Sequence, residues 1–382
     1  MLSMKQIDVL PPPLPLDTTG IVSWVQIGDL HLTTAAEQNF ADLRHIVEQL
    51  NARFAANLNF AFLPGDHAEN GRSEQYDLVR SALDQLRLPW FSIVGDHDVH
   101  SRTVDPYRRA MLAMTHYAFD VGNCSFIALN TFPDPVPHSF TVDEQQFAFL
   151  ERELNSARSS GMSSVLLMHC YPSDLKNGYA RLRELIFRYR PLLVAMGHTH
   201  YNEIARDEAT VYSSTRSTGQ IEEGPVGFSI INIDSGCVSW KFKDLASTDP
   251  FVMITSPADW RLTPQTSSMH SAARQLRVKV WSAQTIRAVN AEIAGQEPIL
   301  LEQIPGANAW QGPNTPLEGC SRIRVIARVE DSQEGIDEIE LQNIASPQLR
   351  IARRDQHNVI GAWPERGIQG TQLGPNKNGR KW

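Results

Sequence analysis

Cysteine is scarce in this sequence, and the few there are lie far apart. Cys124, Cys170, Cys237 and Cys320 are the four in 382 residues, and no two form a CxxC pair. That excludes a zinc ribbon and gives no disulfide framework, so reduced thiols are the expectation. Basic runs are also missing, apart from the short "KNGRK" near the C-terminus. Thirty-five Lys and Arg face 43 Asp and Glu, for a net charge of −8. A dedicated nucleic-acid surface normally shows a basic stripe, so none is expected here. No apolar run approaches the ~20 residues of a membrane span. The N-terminal "MLSMKQIDVLPPPLPLDTTG" has a proline cluster instead of a signal-like apolar core. No internal repeat is found. Hydrophobic content of 42% and charged content of 20% suit a soluble, cytoplasmic, two-domain protein.

What is present is a regular alternation. "IVSWVQIG" (21–28), "LNFAFLPG" (58–65), "PWFSIVG" (89–95), "CSFIALN" (124–130), "SVLLMH" (164–169) and "PLLVAMG" (191–197) read as buried strands. Between them Phe40, Leu43, Ile46, Val47 and Leu50, then Tyr76, Val79, Leu83 and Leu86, recur at helical spacing. So do Phe147, Leu150 and Leu154, and Leu182, Leu185 and Ile186. Such alternation predicts an α/β region with helices on the sheet faces. From about residue 249 the texture becomes short runs parted by Gly, Pro, Asn and Asp. "SRIRVIARVED" sets Ile323, Val325, Ala327 and Val329 against Arg322, Arg324 and Arg328, one buried and one wet face. An all-β sandwich of immunoglobulin-like kind is expected there. The predicted organisation is an N-terminal extension (1–20), an α/β domain (21–248), a β-sandwich (249–366) and a tail (367–382).

The chemistry gathers after the strands. "GDLH" supplies Asp29 and His31; "GDHAENG" supplies Asp66, His67 and Glu69; "GDHD" supplies Asp96, His97 and Asp98. His169 ends another strand, and "GHTH" supplies His198 and His200. A lone His or Asp at a strand end is usually a cap or a loop residue. Here five strand ends of one α/β region deliver carboxylate or imidazole, and open α/β sheets bind ligands at that edge. Mixed Asp and His donors suit borderline divalent metals such as Mn, Fe and Zn.

The ordered series "GDLH … GDHAENG … GDHD … H … GHTH" resembles the calcineurin-like metallophosphoesterase family over roughly residues 21 to 243. "STRSTGQIEEGPVGF" (214–228) is similar to its bacterial cyclic-nucleotide phosphodiesterase-like branch. The resemblance implies a four-layer α-β-β-α sandwich and two metal ions per chain. Asp29, His31 and His200 would hold the first metal; Asp66 would bridge to the second, completed by Asp96, His169 and His198. A hydroxide between the metals would be the nucleophile and His97 the general acid, oriented by Glu69. His67, Asn70 and Arg216 are candidate substrate contacts. The family carries Asn where this chain has Asp96, which adds one negative charge to the site. The implied activity is hydrolysis of a small phosphoester, most simply a diester. A phosphomonoesterase, a nuclease or a non-catalytic metal-stabilised scaffold are the alternatives. Homo-oligomerisation stays open.

Overall fold

Strands buried along their whole length need cover on both faces, and that requirement organises residues 21–244. In the computed structural model of the chain, residues 18–248, 250–264, 275–312, 320–341, 351–352 and 358–369 are described. The expected extension up to residue 17 and the tail beyond residue 369 lie outside them.

The α/β region contains β1 (Val22–Gln26), β2 (Phe60–Leu63), β3 (Trp90–Ser92), β4 (Tyr117–Val121), β5 (Cys124–Ala128) and β6 (Ser163–Leu167). It continues with β7 (Leu193–Met196), β8 (Glu203–Arg206), β9 (Val211–Ser214), β10 (Gly227–Asp234) and β11 (Cys237–Asp244). The helices are α1 (Gln38–Gln49), α2 (Ser73–Leu83), α3 (Asp105–Ala110), α4 (Glu144–Ser159) and α5 (Tyr179–Tyr189). One sheet has the order β11-β10-β1-β2-β3. In a second sheet β5, β6, β7 and β9 run parallel, with β4 and β8 antiparallel beside them.

Strand period explains the layers. Along β5, β6 and β7, Phe126, Ala128, Val165, Leu167, Leu193 and Ala195 face the core shared with the first sheet. Ile127, Leu166, Val194 and Met196 point the other way, onto Phe147, Leu150, Leu182 and Leu185 of α4 and α5. Helices α1 and α2 cover the far side of the first sheet with Leu43, Ile46, Tyr76 and Val79. Trp24, Phe60, Phe91, Phe119 and Phe126 stack where the two sheets meet. The expected α-β-β-α sandwich is what is found. Strand β4, which lies in the irregular stretch before residue 124, was not foreseen.

The remaining strands are β12 (Phe251–Ser256), β13 (Arg277–Trp281), β14 (Ile286–Ile293), β15 (Ile299–Leu300), β16 (Glu302–Gln303), β17 (Trp310–Gln311), β18 (Arg322–Val329) and β19 (Glu334–Glu340). They form two antiparallel four-stranded sheets, β12-β13-β17-β16 and β15-β14-β18-β19. Val278, Val280, Val289, Ala291, Ile323 and Val325 build their common core. Arg322 and Arg328 are exposed, as the alternation predicts.

Strand β13 departs from a half-wet strand. Its second face carries Arg277, Lys279 and Trp281, and it lies against the α/β region instead of water. Trp281 stacks on Phe54 and joins the first core. Lys279, almost without exposure, donates to Ser23 Oγ (2.9 Å) and Asn57 O (3.0 Å). Arg277 pairs with Asp234. A sequence shows that a face is polar, but not that its cations have partners in another sheet.

The chain then returns. Strand β20 (Ile351–Ala352) pairs with β21 (Asn358–Val359), and β21 adds to β8 at the edge of the second sheet. Ile360, Trp363 and Ile368 enter the first core. The expected sandwich span of 249–366 therefore includes a stretch, from residue 358, that packs with the α/β region.

Candidate metal centre

Strands β1, β2, β3, β6 and β7 all end at one edge, and the structure brings the foreseen donors together there. Asp29, His31, Asp66 and His200 offer ligand atoms within 4.8 Å of one another; so do Asp66, Asp96, His169 and His198. Asp66 belongs to both groups, the position expected of a bridge. Four of these residues, His31 (φ 48°), Asp66 (φ 51°), His198 (φ 64°) and His200 (φ 62°), are in the left-handed region. Non-glycine residues seldom adopt it, and they persist there where the surroundings enforce it. Glycines give the room. A Cβ on Gly95 would overlap Asp66 Oδ1, and one on Gly197 would overlap Asp29 Oδ1.

Hydrogen bonds fix which atoms point inward. His169 Nδ1 donates to Pro64 O (2.7 Å), leaving Nε2 beside Asp96 Oδ1 (2.9 Å) and Asp66 Oδ2 (3.4 Å). His198 Nδ1 lies 3.2 Å from Asp96 Oδ1, and its backbone N–H donates to Asp29 Oδ2 (2.7 Å). His31 Nδ1 meets Glu69 Oε2 at 2.8 Å, so its Nε2 is the atom turned toward His200 Nε2, 3.0 Å away.

Electrostatics matches a cation site. Burial pushes the Asp29 carboxyl up. Burial works against ionisation of Asp66 and Asp96 too, yet the His169 imidazole, helped by His31 at Asp66 and His198 at Asp96, holds both below the ordinary carboxylate range. His169 is raised, since the Asp66 and Asp96 carboxylates outweigh its burial. Burial, with His31 alongside, pushes His200 down to about 3. Among the described residues no Lys or Arg pairs with Asp29, Asp66 or Asp96. Asp29 Oδ1 is buried with no hydrogen-bond partner. Three buried or half-buried carboxylates without a fixed cation, and two imidazole nitrogens facing each other, fit a pair of divalent ions.

The proposed acid, His97, sits beside the first group. Its Nδ1 donates to the Glu69 backbone carbonyl (2.9 Å), which can only accept, so Nε2 is left as the atom that exchanges a proton. Its backbone N–H donates to Asp66 Oδ1 (2.9 Å), and its side chain keeps 23% exposure. The Glu69 carboxylate lies 3.5 Å from His97 Nδ1 but closer to His31. It is thus the Glu69 carbonyl that orients His97, while its carboxylate orients His31.

Two expected substrate contacts are corrected. His67 is fully buried, its Nδ1 on Asp98 Oδ2 (2.9 Å) and its ring near Tyr107. Asp98 also accepts from the backbone N–H groups of His67, Ala68 and Gly95 and from Tyr76 Oη, tying the two ligand-bearing loops together. Arg216 is also fully buried, its guanidinium on Pro225 O (2.8 Å) and Gly367 O (2.6 Å). Both side chains are held on partners inside the protein. Asn70 is half-buried on the loop after Glu69, its backbone N–H on Gln75 Oε1 (3.0 Å).

Sequence reasoning missed Gln220, whose Nε2 donates to Glu69 Oε2 (2.9 Å), and Phe140, whose ring lies 4.8 Å from that of His198. It also missed Glu222, 3.8 Å from His200 Nδ1. Gln220 and Glu222 stand in the quoted "STRSTGQIEEGPVGF", so the signal was there, but nothing in the spelling assigns them a target.

Layers, strand order and donor set together define a metallophosphoesterase fold. Residues 24–202 match the model of the calcineurin-like phosphoesterase family. A probable cyclic nucleotide phosphodiesterase of Xenorhabdus bovienii is 21% identical over 194 residues, 46% of this chain and 77% of the relative. A dimetal phosphatase from Danio rerio superposes with a TM-score of 0.51 at 13% identity, over 59% of this chain and 97% of that one. The match to this family implies a metal-dependent phosphoester hydrolase. No helix among the described residues is long and apolar enough to cross a membrane.

Proposed function

We propose that the chain is a dinuclear metal-dependent phosphodiesterase acting on a small phosphoester. The observation that carries this reading is the pair of four-donor groups sharing Asp66. Asp29, His31, Asp66 and His200 would hold one ion, and Asp66, Asp96, His169 and His198 the other, with Mn, Fe or Zn suited to the donors. Bound there, divalent ions supply Lewis acidity and lower the pKa of water enough for attack on phosphorus at neutral pH.

The chain's own residues do the rest. His97 holds a proton at Nε2 and delivers it to the departing alkoxide, with Nδ1 anchored on Glu69 O. Glu69 and Pro64 O fix the tautomers of His31 and His169. Asp98 holds Gly95 and His67 in register, and with them the loops that carry Asp66 and His97. Asp96 in place of asparagine makes the site one charge more negative, which disfavours a phosphomonoester dianion more than a diester monoanion. The relative of 21% identity described as a cyclic nucleotide phosphodiesterase points to cyclic diesters as the first substrates to try.

The test is a panel of bis(p-nitrophenyl) phosphate, p-nitrophenyl phosphate and cyclic nucleotides, assayed after chelation and after reloading with Mn²⁺, Fe²⁺ or Zn²⁺. Metal-dependent hydrolysis favouring diesters is expected. Turnover unchanged by chelation, or a preference for the monoester, would sink the reading.

A further inference from the structure

The run "STRSTGQIEEGPVGF" has a task that substrate contact does not explain. Between β9 and β10 it forms a loop beside the first donor group. Ser217 Oγ donates to Asp29 O (2.7 Å), and the N–H groups of Thr218 and Gly219 donate to the same carbonyl (3.0 and 3.1 Å). Gln220 then reaches Glu69 Oε2, the oxygen that also meets His31 Nδ1. The chain Gln220–Glu69–His31 keeps the proton on His31 Nδ1 and its Nε2 available to a cation.

Arg216 holds this loop from behind. Its NH1 donates to Pro225 O at the loop's far end, and its NH2 to Gly367 O in the returning segment. The guanidinium lies 4.4 Å from the Phe242 ring centroid. Asn202 closes the arrangement: its Nδ2 donates to Gly367 O (3.0 Å), and its Oδ1 accepts from Arg216 N–H (2.9 Å). Gly367 O thus takes one hydrogen bond from the residue that starts the loop and another from the segment just after His200. The returning segment is itself seated through Ile360 N–H on Ile204 O (2.8 Å) and Arg366 on Asp337 (3.0 Å).

We propose that residues 358–369 are a latch on the metal centre. Through Arg216 they fix the 215–226 loop and so place Gln220 behind the Glu69–His31 pair. Arg216 is a positioning residue; it belongs to neither donor group. Lysine keeps the charge, but it cannot present the planar fork that spans two carbonyls.

The latch rests on the two-cation reading for its binding arm alone. In titration calorimetry with Mn²⁺, Arg216→Lys and Gln220→Ala should each weaken the affected site roughly tenfold, the scale of a lost partner behind a ligand. The double variant should be no weaker than the worse single, because both act through one chain of contacts. A double variant with the two losses multiplied, or Arg216→Lys with a lower Tm and unchanged affinity, would overturn the latch. Hydrogen exchange on the wild-type protein needs neither metal nor variant. Amides of 216–226 and 358–369 should open as one unit with a shared free energy. Opening of 358–369 while the loop stays protected would overturn it equally. Wild-type protein that binds none of Mn²⁺, Fe²⁺ and Zn²⁺ defeats the two-cation reading, and the exchange data then decide on the latch.

Discussion

The two halves of the molecule use strand ends in opposite ways. In the α/β region the ends of β1, β2, β3, β6 and β7 lead into Asp and His, several of them with left-handed backbone. In the sandwich, strands such as β18 and β19 end in turns, and their charged side chains pair across strands: Arg328 with Glu334, Arg322 with Glu338. One half holds left-handed residues around carboxylates that no Lys or Arg pairs with; in the other, Ser332, in the turn between β18 and β19, is left-handed (φ 68°) with no such cluster beside it. Left-handed backbone marks a candidate site where it also carries metal-suited donors, and only surrounding structure can hold it there.

Substitutions can break this contrast or sharpen it. The largest effect is expected at the residue common to both donor groups. Asp66→Ala should lose both ions by elemental analysis and reduce hydrolysis to background, while the sandwich core stays folded by hydrogen exchange. Next is His97→Ala, which should retain metal and lose about 10²–10⁴-fold in kcat. The loss should be greatest for alkyl esters and least for nitrophenyl esters, whose leaving groups need no proton. Equal losses on the two would remove the acid role. Asp96→Asn should keep the fold, weaken metal retention and move the monoester-to-diester rate ratio toward monoesters. One charge at ~4 Å in water is worth ~1 kcal/mol, a roughly fivefold change in that ratio. An unchanged ratio would show that the Asp96 charge does not reach the substrate. The smallest effect belongs to the sandwich: Ile323→Val should cost ~0.5–1.5 kcal/mol by denaturant unfolding and leave metal content untouched.

How much of this was legible follows the reach of each signal. Period-2 and period-3.6 patterns are local, so most strands and helices of the α/β layers could be read directly, β4 and α3 excepted. The seven candidate donors could be read because each follows a strand, and the chain order of strands fixes where those ends meet. Contacts between distant loops left no such trace. Whether Glu69 uses its carboxylate or its carbonyl on His97 is decided by a turn of the backbone, not by residue type. His67 follows the candidate donor Asp66 in sequence and Arg216 lies in the quoted run that holds Gln220, yet each points into the protein, toward Asp98 and Gly367. Nothing local to Lys279 reveals that Ser23 awaits it.

The returning strand also imposes an order in time. Strand β21 pairs with β8, and Arg216 bonds a carbonyl 151 residues further along the chain. Loop closure over such a span costs entropy before any contact offsets it. The pairing of β1 with β10 spans more still, 209 residues between Ser23 and Asn232, so the first sheet and the seam between β8 and β21 both wait on distant segments. The local helices can form ahead of either, and refolding followed by helix content should therefore run ahead of refolding followed by tryptophan burial.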